Sequence, residues 1–235
     1  MTIKERQKTI LGEVVREYIR TARPVSSSEI APKFKKGFSS ATIRHEMLEL
    51  CREGYLDQPH TSAGRVPTDR GYRFFVDNLL DDISLNAREK KLVDGIFANC
   101  ATREFVSELA KAASAISKSF ALSGLFEEEI ISKTGFSKVL DEPEFSESKN
   151  IQAFGHFIDH LDEDVYSLMS GLEEELEEET VFIGGENPLK EAENISMLAS
   201  IWRHPKGYNG FLVMIGPKRM DYGRNYSFLR YLRGK

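Results

Sequence analysis

The sequence has few of the features that mark secreted or membrane-bound proteins. Its 235 residues include only two cysteines, Cys51 and Cys100, which cannot form a disulfide framework and are typical of a reducing compartment. No run of 18 apolar residues is present that could cross a membrane, and the N-terminal segment lacks the unbroken apolar core of a signal peptide. We therefore predict a cytoplasmic protein with no membrane segment.

The charged residues nearly balance over the whole chain but are unevenly distributed along it. There are 32 basic and 37 acidic residues, and the net charge of −5 by itself gives no reason to expect a nucleic-acid ligand. Residues 1–78 carry a net charge of +4, residues 79–195 carry −16, and residues 196–235 carry +7. An asymmetry of this size predicts that different segments have different tasks.

The first 80 residues have the pattern of a winged helix-turn-helix. Apolar periodicity predicts a helix over residues 5–22, and serine caps predict a short helix over 27–33 and a third over 40–53. Two short extended pieces around a glycine-bearing loop, within residues 55–68, predict a hairpin, and residues 72–80 predict a further helix. Residues 1–80 are therefore predicted to be a DNA-binding domain.

The third predicted helix should have one buried and one outer face. Its apolar side chains define the buried face and are Ile43, Met47, Leu48 and Leu50. Near its N-terminus the outer face carries hydroxyl, basic and imidazole side chains, namely Ser39, Ser40, Thr42, Arg44 and His45. A helix N-terminus attracts phosphate, and an arginine can bind guanine through two hydrogen bonds. We predict that these five residues contact DNA.

The hairpin and the turn before the third helix supply further predicted DNA contacts. The hairpin carries the polar donors His60, Thr61, Ser62 and Arg65, which suit contacts to the DNA backbone or minor groove. Lys35 and Lys36 add positive charge in the turn.

Less specific interpretations of the same residues stay open from sequence. Ser40 and Thr42 could be ordinary helix caps, and Arg44 could form an ion pair with Glu46 or Glu49. The whole domain could also bind a protein instead of DNA.

The remaining chain predicts a mixed domain after a linker at residues 81–86. Its helices are predicted over 87–99, 103–122, 150–178 and 219–232, with irregular chain over 126–149. Three short apolar segments bounded by glycine or proline predict strands, over Thr180–Ile183, 196–202 and 210–215.

No motif in this second part predicts catalysis, a metal or a cofactor. His156 and His160 have the spacing of metal ligands on one helix face, but no third ligand is evident, and surface histidines are expected. Gly184 and Gly185 lack the spacing of a phosphate-binding loop and are expected to form a turn that ends a strand. The acidic run over 173–179 is expected to be a solvated helix face.

Two stretches at the N-terminal end resemble the HrcA heat-inducible transcription repressors. They are residues 39–44, SSATIR, and residues 58–73, QPHTSAGRVPTDRGYR. Near the other end, residues 183–187, IGGEN, and residues 215–222, IGPKRMDY, are similar to closing motifs of that family. The resemblance implies a homodimer that binds an inverted-repeat operator, the CIRCE element, upstream of chaperone genes. It also implies modulation by the GroE chaperonin and loss of repression on heat stress.

The resemblance further implies a GAF-like domain with an inserted dimerisation domain, and here the sequence departs from the family. The chain is short, and residues 126–134 alone separate the second long helix from a stretch, residues 135–145, that resembles the region after the insertion. We expect the insertion and the first GAF-like strands to be absent. Residues 87–235 would then form a reduced GAF-like regulatory and dimerisation domain, and the fold class is α+β. The predicted helices 87–99 and 103–122 are candidates for dimer contacts, unless their apolar stripes pack on the domain's own strands.

These observations predict a repressor of heat-shock genes that is not an enzyme. It would bind a CIRCE-like inverted repeat in double-stranded DNA and be released on heat stress. The alternatives are a metabolite-responsive winged-helix regulator with a small-molecule site in its C-terminal domain, and an adaptor that binds proteins.

Overall fold

The chain divides into two compact units, Met1–Asp81 and Asp82–Lys235. The structure is a computed structural model, and the residues it describes are 3–34, 38–60, 63–81, 83–128, 130–171, 179–189 and 193–235.

The first unit contains four α-helices and a two-stranded sheet in its described part. The bounds are α1 Glu5–Thr21, α2 Ser27–Ile30, α3 Ser40–Arg52, β1 Leu56–Asp57, β2 Val66–Pro67 and α4 Asp69–Asn78. A 3₁₀ turn, Ala31–Lys33, follows α2, and β1 pairs with β2 in antiparallel orientation. The element order agrees with the order predicted from sequence.

The core of the first unit lies between α1, α2 and α3. Ile10, Val14 and Val15 of α1 are fully buried, as are Ile30 at the end of α2 and Ile43 on α3. The helix α1 ends where Ala22 adopts a left-handed backbone conformation (φ 53°), two residues before Pro24. This break returns the chain along α1 and allows α3 to pack against it.

The second unit is a five-stranded antiparallel sheet covered by helices. Its helices are α5 Ala87–Asn99, α6 Thr102–Ser117, α7 Phe136–Leu140, α8 Ser148–Gly171 and α9 Tyr222–Arg233. Its strands are β3 Phe120–Leu125, β4 Ile131–Thr134, β5 Thr180–Ile183, β6 Ile195–Arg203 and β7 Asn209–Pro217. The strand order is β4-β3-β7-β6-β5.

Alternation along the central strands places helices on both faces of this sheet. Phe211, Val213 and Ile215 of β7 belong to one buried cluster with Phe154 and Leu161 of α8. The intervening β7 residues point to the opposite face, which α6 and α9 cover. Because both faces are covered, the three longest strands are buried along nearly their whole length.

The three strands predicted near the C-terminus are confirmed, but the prediction for residues 118–149 is wrong. The helix α6 stops at Ser117, because Lys118 turns left-handed (φ 55°) and the buried Ser114 hydroxyl donates to the Ser119 carbonyl at 2.8 Å. The two strands β3 and β4 follow, where we expected the end of a helix and irregular chain. A continuously apolar segment such as β3 cannot be distinguished from a buried helix by periodicity alone.

The apolar stripes of α5 and α6 are covered within the unit. Phe105 and Leu109 of α6 are fully buried, as is Val93 of α5, whereas Leu92 is exposed. These stripes therefore pack on the unit's own elements, as the alternative interpretation held. The C-terminal helix starts at Tyr222, three residues later than predicted, with Asp221 as its cap.

Across the described parts of the chain, no helix combines the length and the hydropathy that a bilayer crossing requires.

Candidate nucleic-acid interface

The N-terminus of α3 presents a cluster of hydroxyl groups. Ser39 caps the helix and accepts from the Thr42 amide at 3.1 Å, and its hydroxyl lies 3.0 Å from that of Thr42. The hydroxyl of Ser40 lies 3.1 Å from that of Ser27 on α2. Ser39 and Ser40 are exposed. Ser39 is thus the helix cap, whereas Ser40 and Thr42 lie inside the helix, and their hydroxyls contact those of Ser27 and Ser39, respectively.

Arg44 lies on the exposed side of α3, and its guanidinium has no ion-pair partner among the residues that the structure describes. The two carboxylates that could have bound it are engaged elsewhere: Glu46 pairs with Arg6 of α1, and Glu49 accepts from Arg52 at 2.6 Å. The proposed ion pairs of Arg44 with Glu46 or Glu49 are therefore not formed. Its positive charge is available to a ligand.

His45 is exposed but lies at the edge of a groove between α1 and α3. The groove has a volume of about 390 Å³ and is lined by Lys4, Arg6, Gln7, His45, Glu46, Glu49 and Glu53. Its charges are mixed, and Glu46 is only 3% exposed. The ion pair between Glu46 and Arg6 ties α3 to α1 at this side.

Two of the predicted DNA contacts lie in the described part of the hairpin, one exposed and one half-buried. His60 is exposed. Arg65 is half-buried, and its guanidinium donates to the carbonyls of Ala63 and Gly64 at 3.3 and 3.4 Å. Arg65 also lies beside the thiol of Cys51, whose pKa is raised by burial and partly lowered again by this guanidinium. The predicted residues Thr61, Ser62, Lys35 and Lys36 lie outside the described residues.

The cation nearest in sequence to this turn, Lys33, is engaged within the unit. Its ammonium lies 2.8 Å from Glu17 and 3.3 Å from Glu13. Hydrogen bonds from Arg20 and then from Lys33 lower the pKa of Glu17 to about 2. The charge of Lys33 is therefore largely compensated by α1.

Residues 68–71 hold α3 in place. They belong to the stretch 58–73 that resembles the HrcA repressors, and sequence reasoning did not recognise this structural role. The Thr68 hydroxyl donates to the Gly54 carbonyl just after α3 at 2.6 Å and accepts from the Gly71 amide at 3.1 Å. Arg70 donates to the Glu53 carbonyl at 2.8 Å and stacks over the Tyr55 ring at 4.4 Å. These contacts satisfy carbonyls at the C-terminal end of α3. The sequence signal for the Thr68 contacts is a threonine directly before a predicted helix, because such a residue is a common N-cap.

The outward side of α3 also carries a residue that sequence reasoning placed in the core. Leu48 is 40% exposed, whereas Ile43, Met47 and Leu50 are buried as predicted. Helical spacing puts Leu48 on one surface line with Arg44 and Arg52, each one turn away.

Three features of the second unit were considered as sites from sequence, namely a histidine pair, a glycine pair and an acidic run. His156 and His160 are both exposed, and no group of metal-binding side chains was found among the described residues. Gly184 and Gly185 open a 3₁₀ turn directly after β5, as expected. Most of the acidic run, residues 173–178, lies outside the described residues.

The fold places this chain in a class of two-unit proteins in which a small helical unit with a hairpin precedes an antiparallel sheet covered by helices. A crystal structure at 2.2 Å resolution of a hypothetical protein has the same fold, with a TM-score of 0.79, 17% identity, and coverage of 99% of this chain and 97% of that one.

The chain belongs to the HrcA family, because the family model described as "HrcA protein C terminal domain" matches residues 72–225. A heat-inducible transcription repressor HrcA of Thermoanaerobacter sp. is 50% identical over 101 residues, which are 40% of this chain and 29% of that protein. The protein of that name from Caldanaerobacter subterraneus is 56% identical over 82 residues, 35% of this chain and 24% of the relative. The matched segments thus span less than a third of these relatives.

Proposed function

We propose that the first unit is a winged helix-turn-helix that binds double-stranded DNA, with α3 in the major groove and the hairpin as the wing. The observation that carries this proposal is the exposed Arg44, which has no ion-pair partner among the described residues and lies near the hydroxyl groups at the N-terminus of α3. An arginine in that position can donate to O6 and N7 of a guanine, and helix N-termini with hydroxyl groups suit phosphate oxygens.

The contacts around α3 support this role because they fix the helix at its middle and at its C-terminal end. The Arg6–Glu46 ion pair holds its middle to α1, and Thr68 and Arg70 bind the carbonyls that follow it. A reading helix needs such rigid support, since a shift of about an ångström disrupts paired hydrogen bonds. Among the predicted contacts that the structure describes, Arg65 is the least suited, because its guanidinium is engaged within the hairpin.

For the whole protein we propose a repressor of heat-shock genes. Membership of the HrcA family and the names of the relatives, heat-inducible transcription repressors, support this function. The operator would be a CIRCE-like inverted repeat bound by a homodimer, because a palindrome matches the two-fold symmetry of its ligand. The second unit would be a reduced GAF-like domain, and release on heat stress and modulation by a GroE-type chaperonin belong to the same proposal.

The test is binding of the full chain to a CIRCE-like inverted repeat and to a scrambled duplex of equal composition, with the oligomer mass measured in parallel. We expect the inverted repeat to bind more tightly. Replacing Arg44 with alanine should cost about 1–3 kcal/mol on the inverted repeat, because one bidentate guanine contact is lost. The exposed Arg103 of α6 offers a control, since Arg103→Ala should leave both affinities unchanged. Equal affinity of the wild type for the two duplexes would contradict specific repression.

The metabolite-responsive regulator remains the second candidate for the second unit. Phenylalanines fill much of the interior between the sheet and α8, including Phe120, Phe154 and Phe211, and this filled interior does not favour a ligand cavity there. A thermal-shift screen would favour this candidate if a small molecule stabilised the second unit and changed DNA affinity.

A further inference from the structure

The exposed line on α3 contains an apolar side chain between two arginines. Leu48 is 40% exposed, and in the described part of the first unit no other large apolar side chain is exposed to this degree. Arg44 precedes it by four residues and Arg52 follows it by four, so all three project from the same side of the helix. Ala41, also exposed, continues this line toward the N-terminus. We call Ala41, Arg44, Leu48 and Arg52 the outer line of α3.

The chemistry of the outer line suits the floor of a DNA groove better than an apolar protein surface. Positive charge on both sides of Leu48 would have to be desolvated against an apolar partner, which is costly. DNA phosphates flank the major groove and would compensate the charge of Arg44, whereas Arg52 already pairs with Glu49 at 2.6 Å and stays at the edge of the contact. Inside that groove, the base edges offer hydrogen-bonding groups and one apolar group, the C5-methyl of thymine.

We infer that Leu48 contacts a thymine methyl group in the operator and thereby determines the base at one position of each half-site. This inference rests on the proposed DNA-binding function. In addition to the hydrogen bonds that Arg44 donates to a base, Leu48 would make an apolar contact with a neighbouring base. Leu48 lies one turn further along α3 than Arg44, so the thymine lies close to the base pair that Arg44 contacts.

The experiment removes the methyl group from the DNA and the side chain from the protein. Each thymine of the inverted repeat is replaced in turn by deoxyuridine, which lacks only the C5-methyl group. Affinities of the full-length wild type, Leu48→Ala and Leu48→Met are then measured for every duplex. At one position per half-site, the wild type and Leu48→Met should lose about three- to fivefold in affinity per methyl removed, as expected for one buried methyl group. Leu48→Ala should show no loss at that position.

The matched control is Leu92→Ala, which shortens an exposed leucine outside the first unit. It should retain the wild-type ratio of thymine to uracil affinity at every position. The ratio is the decisive quantity, because a general change in folding or assembly alters both affinities equally.

Each other outcome overturns the inference in a distinguishable way. If the wild type and Leu48→Ala lose the same affinity at every uracil position, Leu48 does not read a methyl group, while specific DNA binding stands. If Leu48→Ala changes the oligomer mass, the outer line is a protein interface. If the wild type does not distinguish the inverted repeat from scrambled DNA, the proposed function fails and this inference fails with it.

Discussion

Gly71 shows how a single atom can decide the packing of the first unit. A Cβ atom at this position would lie 2.1 Å from the carbonyl oxygen of Tyr55, and backbone atoms of this kind cannot move aside cheaply. Gly64 is constrained similarly, because its Cβ would lie 2.4 Å from the Val25 carbonyl oxygen. Both glycines of the stretch 58–73 are therefore required because neighbouring backbone atoms leave no room for a Cβ atom.

Gly71→Ala should destabilise the protein by about 1–3 kcal/mol, the usual range for a forced steric overlap. Gly95→Ala is a control with the same substitution and the opposite expected effect on stability. Gly95 lies within α5, and no atom lies within 4 Å of the position that its Cβ would take. That variant should be more stable than the wild type by about 0.5–1 kcal/mol, since alanine favours helix. Urea unfolding followed by circular dichroism measures both changes. A Gly71→Ala variant as stable as the wild type would show that the hairpin can shift away from α4.

Residue-scale prediction from sequence succeeded for buried positions and failed at the outer line. Ile43, Met47 and Leu50 are buried as expected, but Leu48 is exposed. Hydrophobicity indicates what a side chain prefers, whereas its burial depends on the neighbours that the fold supplies. That Arg44 has no ion-pair partner in the described part of the chain was likewise undecidable from sequence, because it depends on Arg6 and Arg52 engaging the two nearby glutamates.

At the scale of elements, the turn between β6 and β7 is organised by His204. Its ring is stacked on Phe97 (4° between planes, 5.3 Å between centroids) and on Tyr208 (11°, 4.3 Å). Nδ1 accepts from the Lys206 amide at 3.1 Å, so Nε2, 3.1 Å from the Phe97 carbonyl, carries the proton. The geometry therefore requires a neutral ring.

Protonation of His204 should weaken the second unit. Burial, reinforced by the charge of Lys206, lowers the pKa of His204 below its ordinary value of 6.5, although the bond to Phe97 opposes this. A lowered pKa in the folded state means that the unfolded chain binds the proton more readily. The stabilisation is complete above pH 6.5 and declines as the pH falls below it. We expect the free energy of unfolding to decrease from pH 7.5 to pH 5.5.

The variants His204→Gln and His156→Gln separate this effect from other titrations. His204→Gln should reduce the decrease in unfolding free energy over that pH range, whereas His156→Gln, which changes an exposed side chain of α8, should retain it. Chemical unfolding at each pH provides the comparison. An identical decrease in all three proteins would assign the pH dependence to other groups.

Element prediction was accurate for amphipathic helices and for apolar strands bounded by glycine or proline. The helices α1, α3 and α5 and the strands β5 to β7 lie within a few residues of their predicted bounds. The strand β3 was mistaken for the end of α6, because all six of its residues are buried and no alternation marks its faces. Only its pairing with β4 and β7 makes it a strand.

At the scale of the whole molecule, the net charge differs between segments of the chain. The net charge of −5 combines a basic N-terminal segment with an acidic centre and a basic C-terminal end. DNA binding by a protein of overall negative charge must then depend on local cations near the phosphates.

We therefore expect affinity for DNA to fall steeply with salt. With six or more phosphate contacts, the loss between 50 and 200 mM salt would be roughly a thousandfold or more. Scrambled DNA should show a similar slope, because phosphate contacts carry no sequence information. Titrations of both duplexes at four salt concentrations measure the slopes. Affinity independent of salt would contradict binding through phosphates.

The sequence by itself determined the family, the order of elements in the first unit and the position of the hydroxyl-bearing end of α3, because these depend on motifs, caps and local periodicity. The tertiary structure alone decided that α6 gives way to two strands and that Thr68, Arg70 and Gly71 support α3. It also decided that Leu48 and Arg44 share one exposed line. Those features depend on contacts between residues distant in sequence, and no local pattern records which side chain will find a partner and which will be left for a ligand.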